Sequence, residues 1–211
     1  ETYAAEGNVE INETNFPDAT FREYVKTEFD TAEPKGTLSQ TELDDVKKIE
    51  VDYKDEVGQK RITSLKGIEY FTNLETLSCA NNVVNQLDIS KNTKLRVLNC
   101  EDNRFLQLDI SNNKALEYLN CSSNWLLELD LSNNTALTSL KCKDTQLTKL
   151  DLSNNKALTE LDCRSKLTSL KLNPELNSRV KSFNMVQVYN YELRKGAEEI
   201  KLPEGFDASR I

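Results

Sequence analysis

Leu74-Glu75-Thr76-Leu77-Ser78-Cys79 opens a unit that this chain repeats five times, returning at 95–100, 116–121, 137–142 and 158–163. The cysteines at 79, 100, 121, 142 and 163 are spaced by 21 residues every time. A fixed period in this range marks a solenoid, in which each copy is one layer touching only its neighbours. Counted from the first leucine of each copy, positions 1, 4, 6, 11, 14 and 16 are apolar or cysteine. Positions 3, 5 and 7 interrupt them with mostly polar residues, the period of a strand buried on one face. Stacking the copies therefore predicts a parallel sheet with strands about 4.8 Å apart. One copy buries too little to offset the ordering of its own backbone, so the stack needs covered ends.

Composition agrees with thin layers. Of 211 residues, 37% are hydrophobic and 29% charged. The absence of histidine removes the commonest general base and metal ligand. Only 6 glycines are present and none forms a phosphate-cradling loop. Pairs such as Glu101/Asp102 and Glu160/Asp162 resemble glycosidase carboxylates in type, but strand neighbours face opposite sides or open water. No enzyme activity and no cofactor are expected. The net charge of −8 argues against a nucleic-acid partner. Residues 1–50 carry 13 acidic and 5 basic side chains, and the other 161 carry 22 of each, so the acidity belongs to the N-terminal segment. No apolar run is long enough for a membrane span, so no membrane insertion is expected.

Residues 1–45 read as a helical hairpin cap. Asn15 is the expected start of a helix with Pro17 in its first turn, and Phe21, Val25 and Phe29 give it one apolar face. Ser39 and Glu42 form a capping box for a second helix, with Leu38 and Leu43 as a hydrophobic staple. Residues 46–73 read as an irregular first repeat through Val46, Ile49, Val51, Ile62, Leu65, Ile68 and Phe71. The five regular repeats occupy 74–175, and 176–211 is a closing segment. In it Val180, Phe183 and Met185 supply one more strand, and Leu202-Pro203-Glu204-Gly205-Phe206 is the most turn-like part. Ala4-Ala5 resembles the end of a signal-peptidase site, which suggests an exported chain with its leader removed.

The asparagines at position 9 (Asn82, Asn103, Asn124) and position 19 (Asn92, Asn113, Asn134, Asn155) are expected to satisfy turning backbone between layers. Asp88, Asp109, Asp130 and Asp151, each followed by a serine two residues on, read as turn formers; a row of calcium ligands is the alternative. The five cysteines share one inward position, and neighbouring Cβ atoms about 4.8 Å apart are too far for a disulfide. They read as free, buried and small.

The pattern LxxLxCxxNxLxxLDLSNNTAL resembles the cysteine-containing leucine-rich repeats of bacterial surface proteins, including the cysteine-ladder internalins. The flanks, with Ile11-Asn12-Glu13-Thr14-Asn15-Phe16-Pro17-Asp18 and Leu65-Lys66-Gly67-Ile68-Glu69-Tyr70-Phe71, are similar to surface proteins of gut-dwelling bacteria. The resemblance implies an α/β-type leucine-rich repeat solenoid, with a parallel β-sheet on one face, an irregular or short-strand opposite face and a helical N-terminal cap. It also implies a secreted or cell-surface location and a binding surface for a protein, with a glycan or a structural spacer role as the alternatives. Relatives often carry a calcium loop after the first helix. Here Lys35 and Pro34 fall inside it, so no metal is expected, and Asp30, Glu33 and Glu42 are the remaining candidates.

The partner, an extracellular or host-surface protein, is expected on the exposed sheet face. Its candidate contacts are Val97, Asn99, Glu101, Arg104, Leu106, Tyr118, Asn120, Trp125, Leu127, Lys141 and Lys143. Trp125, the one tryptophan, is the expected anchor, provided it does not fold down to shield the core.

Overall fold

The computed structural model describes residues 7–165 and 167–173, and the backbones of 182–184 and 199–201. The order is β1 (Val9–Glu10), α1 (Ala19–Phe29), β2 (Thr37–Leu38), α2 (Gln40–Asp45), β3 (Lys48–Glu50), a 3-10 turn at Ile68–Tyr70, and then the repeats. These supply β4 (Thr76–Ser78), β5 (Val97–Asn99), β6 (Tyr118–Asn120), β7 (Ser139–Lys141), β8 (Lys149–Leu152), β9 (Glu160–Asp162) and β10 (Ser169–Leu172). Two further strands are β11 (Ser182–Asn184) and β12 (Glu199–Lys201).

Positions 3 to 5 of every copy form the main sheet, seven strands in the order β11-β9-β7-β6-β5-β4-β3. Its pairs are parallel, with Leu77, Leu98, Leu119, Leu140 and Leu161 in register. β3 joins the same sheet through Ile49 opposite Leu77, so the first layer is longer than a regular copy and supplies the loop 52–61. On the opposite face β8, from positions 13 to 16 of copy four, and β10, from positions 12 to 15 of copy five, which is one residue short, pair in parallel, and β12 adds to them antiparallel. The earlier copies follow that face without regular strands. The expected strand near Phe183 is present as β11 beside β9. Val180, Met185 and the 202–206 turn lie outside the described residues.

Between the faces runs one apolar strip. Leu77, Cys79, Leu95, Leu98, Cys100, Phe105, Leu116, Leu119 and Cys121 are all fully buried. The strands of the first four copies leave the sheet through a corner at position 8, where Asn81, Asp102, Ser123 and Asp144 adopt positive φ of 50–60°. Short polar residues tolerate this left-handed conformation better than branched or bulky ones do.

The cap differs from the sequence reading at two points: β1 and β2 pair antiparallel across it, with Val9 opposite Leu38, and the first helix starts later. α1 starts at Ala19 behind Asp18, and Asn15 instead donates its amide to the Glu10 carbonyl. Asp18 wins because one carboxylate oxygen accepts Thr20 and Phe21 N–H while the other accepts the Thr63 N–H and hydroxyl. The same side chain thus caps the helix and fastens it to the first layer. Ser39 caps α2 with the full capping box. Phe16, Phe21, Tyr24, Phe29, Tyr70 and Phe71 close the end of the strip, with ring centroids 5.4–6.5 Å apart. Gly67, at φ 105°, is required there: a Cβ would collide with the Phe16 ring.

Candidate functional site: the sheet face and its flank

Two columns of buried asparagine hold the layers in place. At position 9, Asn103 donates to the carbonyls of Cys79, Cys100 and Glu101 and accepts the Val84 N–H. Asn124 does the same one layer on, with Cys100, Cys121, Ser122 and the Phe105 N–H. Thr145 replaces the asparagine in the fourth copy, and its hydroxyl bonds the Cys142 carbonyl at 3.0 Å. At position 19, Asn113 donates to Ile89 and Asn92 carbonyls, and Asn134 and Asn155 repeat that pattern. This scaffold fixes where the side chains of the sheet face stand.

That face is tied together laterally. Asn99 donates to the Ser78 hydroxyl at 3.1 Å, and Ser139 donates to Glu160 at 3.0 Å. Asn120 donates to Glu101 at 2.8 Å, and the ammonium of Lys143 stands 3.8 Å from the same carboxylate. Lys141 places its ammonium 5.7 Å from the Tyr118 ring centroid, a cation–π contact. Arg96 and Glu117 form a two-pronged ion pair at the edge, 3.0 and 2.9 Å. Val97, Asn99, Glu101, Tyr118, Lys141 and Lys143 are half-buried. Asn120 corrects the expectation of an open grid: it is 5% exposed, under its neighbours and committed to Glu101. Adjacent strands are too close for every position 5 side chain to reach water.

Beyond the corner the candidates separate. Arg104 and Trp125, at position 10, are exposed at the rim, and Trp125 keeps 52% of its surface open. Leu106 and Leu127, at position 12, are 55% and 59% exposed. They line a groove of about 500 Å³ with residues 107–111, Glu128 and Asp130, on the flank leading to the opposite face. The period of 21 predicted that these residues would recur in register. It could not show that the chain turns at position 8 and carries position 12 away from the sheet.

The metal candidates have other work. Glu42 accepts Thr31 and Ala32 N–H with one oxygen and the Ser39 N–H and hydroxyl with the other. Partial burial pushes its carboxyl up, but these donors outweigh that and hold it at about 2 instead of 4.5. Asp30 accepts the Gly36 N–H, while the Lys35 ammonium donates to the Asp30 carbonyl at 2.8 Å. Glu33 accepts the Lys35 N–H. A cation is thus already supplied by the chain, and among the described residues no group of three or more acidic, cysteine or histidine side chains is arranged to hold a metal. The aspartates of the repeats form turns: Asp88 accepts the Ser90 hydroxyl at 2.6 Å and its N–H at 3.0 Å, which lowers its carboxyl below the usual range. Asp109, Asp130 and Asp151 accept the matching serine N–H at 2.9 Å.

All five cysteines are free and buried. Burial pushes the thiols of Cys79 and Cys121 up to about 12, so neither supplies a thiolate nucleophile at neutral pH. Their role is packing.

No protein-family model matches the sequence, and no curated protein does. Solved structures do. The functional domain of InlJ from Listeria monocytogenes, which includes a cysteine ladder, superposes with a TM-score of 0.71 at 34% identity, over 83% of this chain and 38% of that one. The internalin InlF of the same organism gives 0.68 at 26% identity, over 83% and 52%. A leucine-rich repeat protein of Leptospira interrogans gives 0.52 at 25% identity, over 56% and 33%. The chain therefore spans about half or less of the length of each. Among the described residues no helix is long and apolar enough to cross a membrane. With a 21-residue leucine repeat, a column of buried cysteines in register and these neighbours, the chain is an internalin-like leucine-rich repeat solenoid.

Proposed function

We propose that this solenoid is an extracellular binding module that docks a protein partner across the main sheet, with Trp125 as its anchor at the rim. The observation that carries this reading is the exposure of Trp125, the only aromatic side chain among the described residues that is exposed. A large amphipathic ring left in water beside a rigid, half-buried polar face is the usual make-up of a binding hot spot. Tyr118 lies in the same layer and is already braced by Lys141, so it reaches a partner with little ordering cost. The neighbouring internalins and leucine-rich repeat proteins support a binding role over a catalytic one. Secretion or surface display and an adhesive role belong to this same reading.

The test is binding of the chain to arrays of cell-surface proteins and of glycans, read by biolayer interferometry. A protein hit that W125A weakens at least about tenfold, roughly 1.4 kcal/mol, supports the reading. A hit on glycans alone moves the substrate class. Silence on both arrays, while a longer form of the protein binds cells, identifies the solenoid as a spacer.

A further inference from the structure

We infer that the flank of copies two and three is a second docking groove, separate from the sheet face, for an extended partner segment that sets a lysine or arginine between large aliphatic side chains. Leu106 and Leu127 are the two most exposed leucines among the described residues, at 55% and 59%. They sit in adjacent layers, with the Leu127 N–H directed at the Leu106 carbonyl at 3.5 Å. The apolar strip is bounded: the corresponding residues in the copies on either side are Asn85 and Thr148. Two layers about 4.8 Å apart are spanned by roughly one to two residues of an extended segment.

The charge around this strip has one sign. Asp109, Glu128 and Asp130 line the groove, and none carries an ion pair among the described residues. The same aspartate column is neutralised further along, where Lys171 approaches Asp151 at 3.2 Å. Bonds from Ser132 hold the Asp130 carboxyl below the usual range, against opposing like charge from its column neighbours, of which Asp109 has no ion-pair partner among the described residues. A cation entering beside the two leucines relieves that repulsion while its aliphatic neighbours cover the strip. An acidic or purely polar segment gains neither. The groove shares neither Trp125 nor Tyr118, so it works independently of the sheet face.

The test is selection from a random dodecapeptide phage library on the immobilised chain, followed by titration of the enriched peptides. Lysine or arginine next to leucine, isoleucine or valine is expected to dominate the enriched set. The double variant L106S/L127S is expected to lose at least tenfold in affinity for these peptides. D109N/D130N, which keeps the oxygens that accept from Ser111 and Ser132, is expected to lose about fivefold and to remove most of the salt dependence. Y118A/W125A is expected to stay within twofold, which separates this groove from the sheet-face reading. Unchanged thermal melting of the variants verifies that the fold is retained. No enrichment, enrichment without basic residues, or equal binding to L106S/L127S overturns the inference. Loss confined to Y118A/W125A also overturns it while leaving the sheet-face reading intact.

Discussion

The two asparagine columns do similar work with unequal completeness. At position 9 both ends of the amide are used: three carbonyls accept from Asn103, and its oxygen accepts the Val84 N–H. At position 19 only the nitrogen is used. Asn113 donates to two carbonyls, while its own oxygen, like those of Asn92, Asn134 and Asn155, is buried without a protein donor. The difference follows the backbone each column serves. After the strand the chain turns through a left-handed residue and leaves both donors and acceptors unpaired. Ahead of the next copy the turn closes on itself, with the Asn113 N–H bonding the Ile110 carbonyl and the Leu116 N–H bonding the Asn113 carbonyl, so only outer carbonyls need a donor.

Substitutions can break this contrast in order of expected size. N103A leaves the buried Val84 N–H without its acceptor and takes one of two donors from each of the Cys79, Cys100 and Glu101 carbonyls, so it is expected to cost about 2–4 kcal/mol in urea unfolding. N113A takes one donor from each of the Ile89 and Asn92 carbonyls, which keep the Asn92 and Leu95 N–H, and also removes an unsatisfied oxygen, so its cost is expected to be smaller, about 1–2 kcal/mol. Equal losses would show that both columns contribute through packing alone. T145N restores the position 9 amide in the fourth copy and is expected to raise stability by about 0.5–1.5 kcal/mol. A loss there would mean that the fourth layer has repacked around threonine. Smallest of all, N103A and N113A share no bonding partner, so the double variant is expected to match the sum of the single changes within about 0.5 kcal/mol.

Much of this architecture is legible before any coordinates. The leucine and cysteine spacing carries the parallel sheet, its register and the inward thiols, because a rigid period leaves one way to stack. The capping box is equally local: Ser39 and Glu42, three residues apart, satisfy each other. Asp18 was hidden because half of its role lies in Thr63, 45 residues away, which no local pattern reports. The binding surface is harder for the same reason. Periodicity groups Leu106 and Leu127 with Tyr118, yet the corner at position 8 sends them to different sides. Asn120 reads as an open polar position, and only its bond to Glu101 from the neighbouring layer shows it covered. Exposure at this level depends on which side chain crosses from the next strand, and the repeat does not encode that.

The position 9 bonds also have a direction. Each asparagine reaches back to the layer before it, and the first in the line, Asn82, bonds the Val51 carbonyl and accepts the Ile62 N–H, both outside the regular repeats. The irregular layer thus acts as a template that offers the pairing every later layer offers its successor. An added block of 21 residues would find its donors and acceptors already waiting, so the stack can lengthen by duplication without new chemistry. Its origin cannot be exchanged so freely. Length is the variable quantity in such a molecule, and the end from which it is counted is the constant.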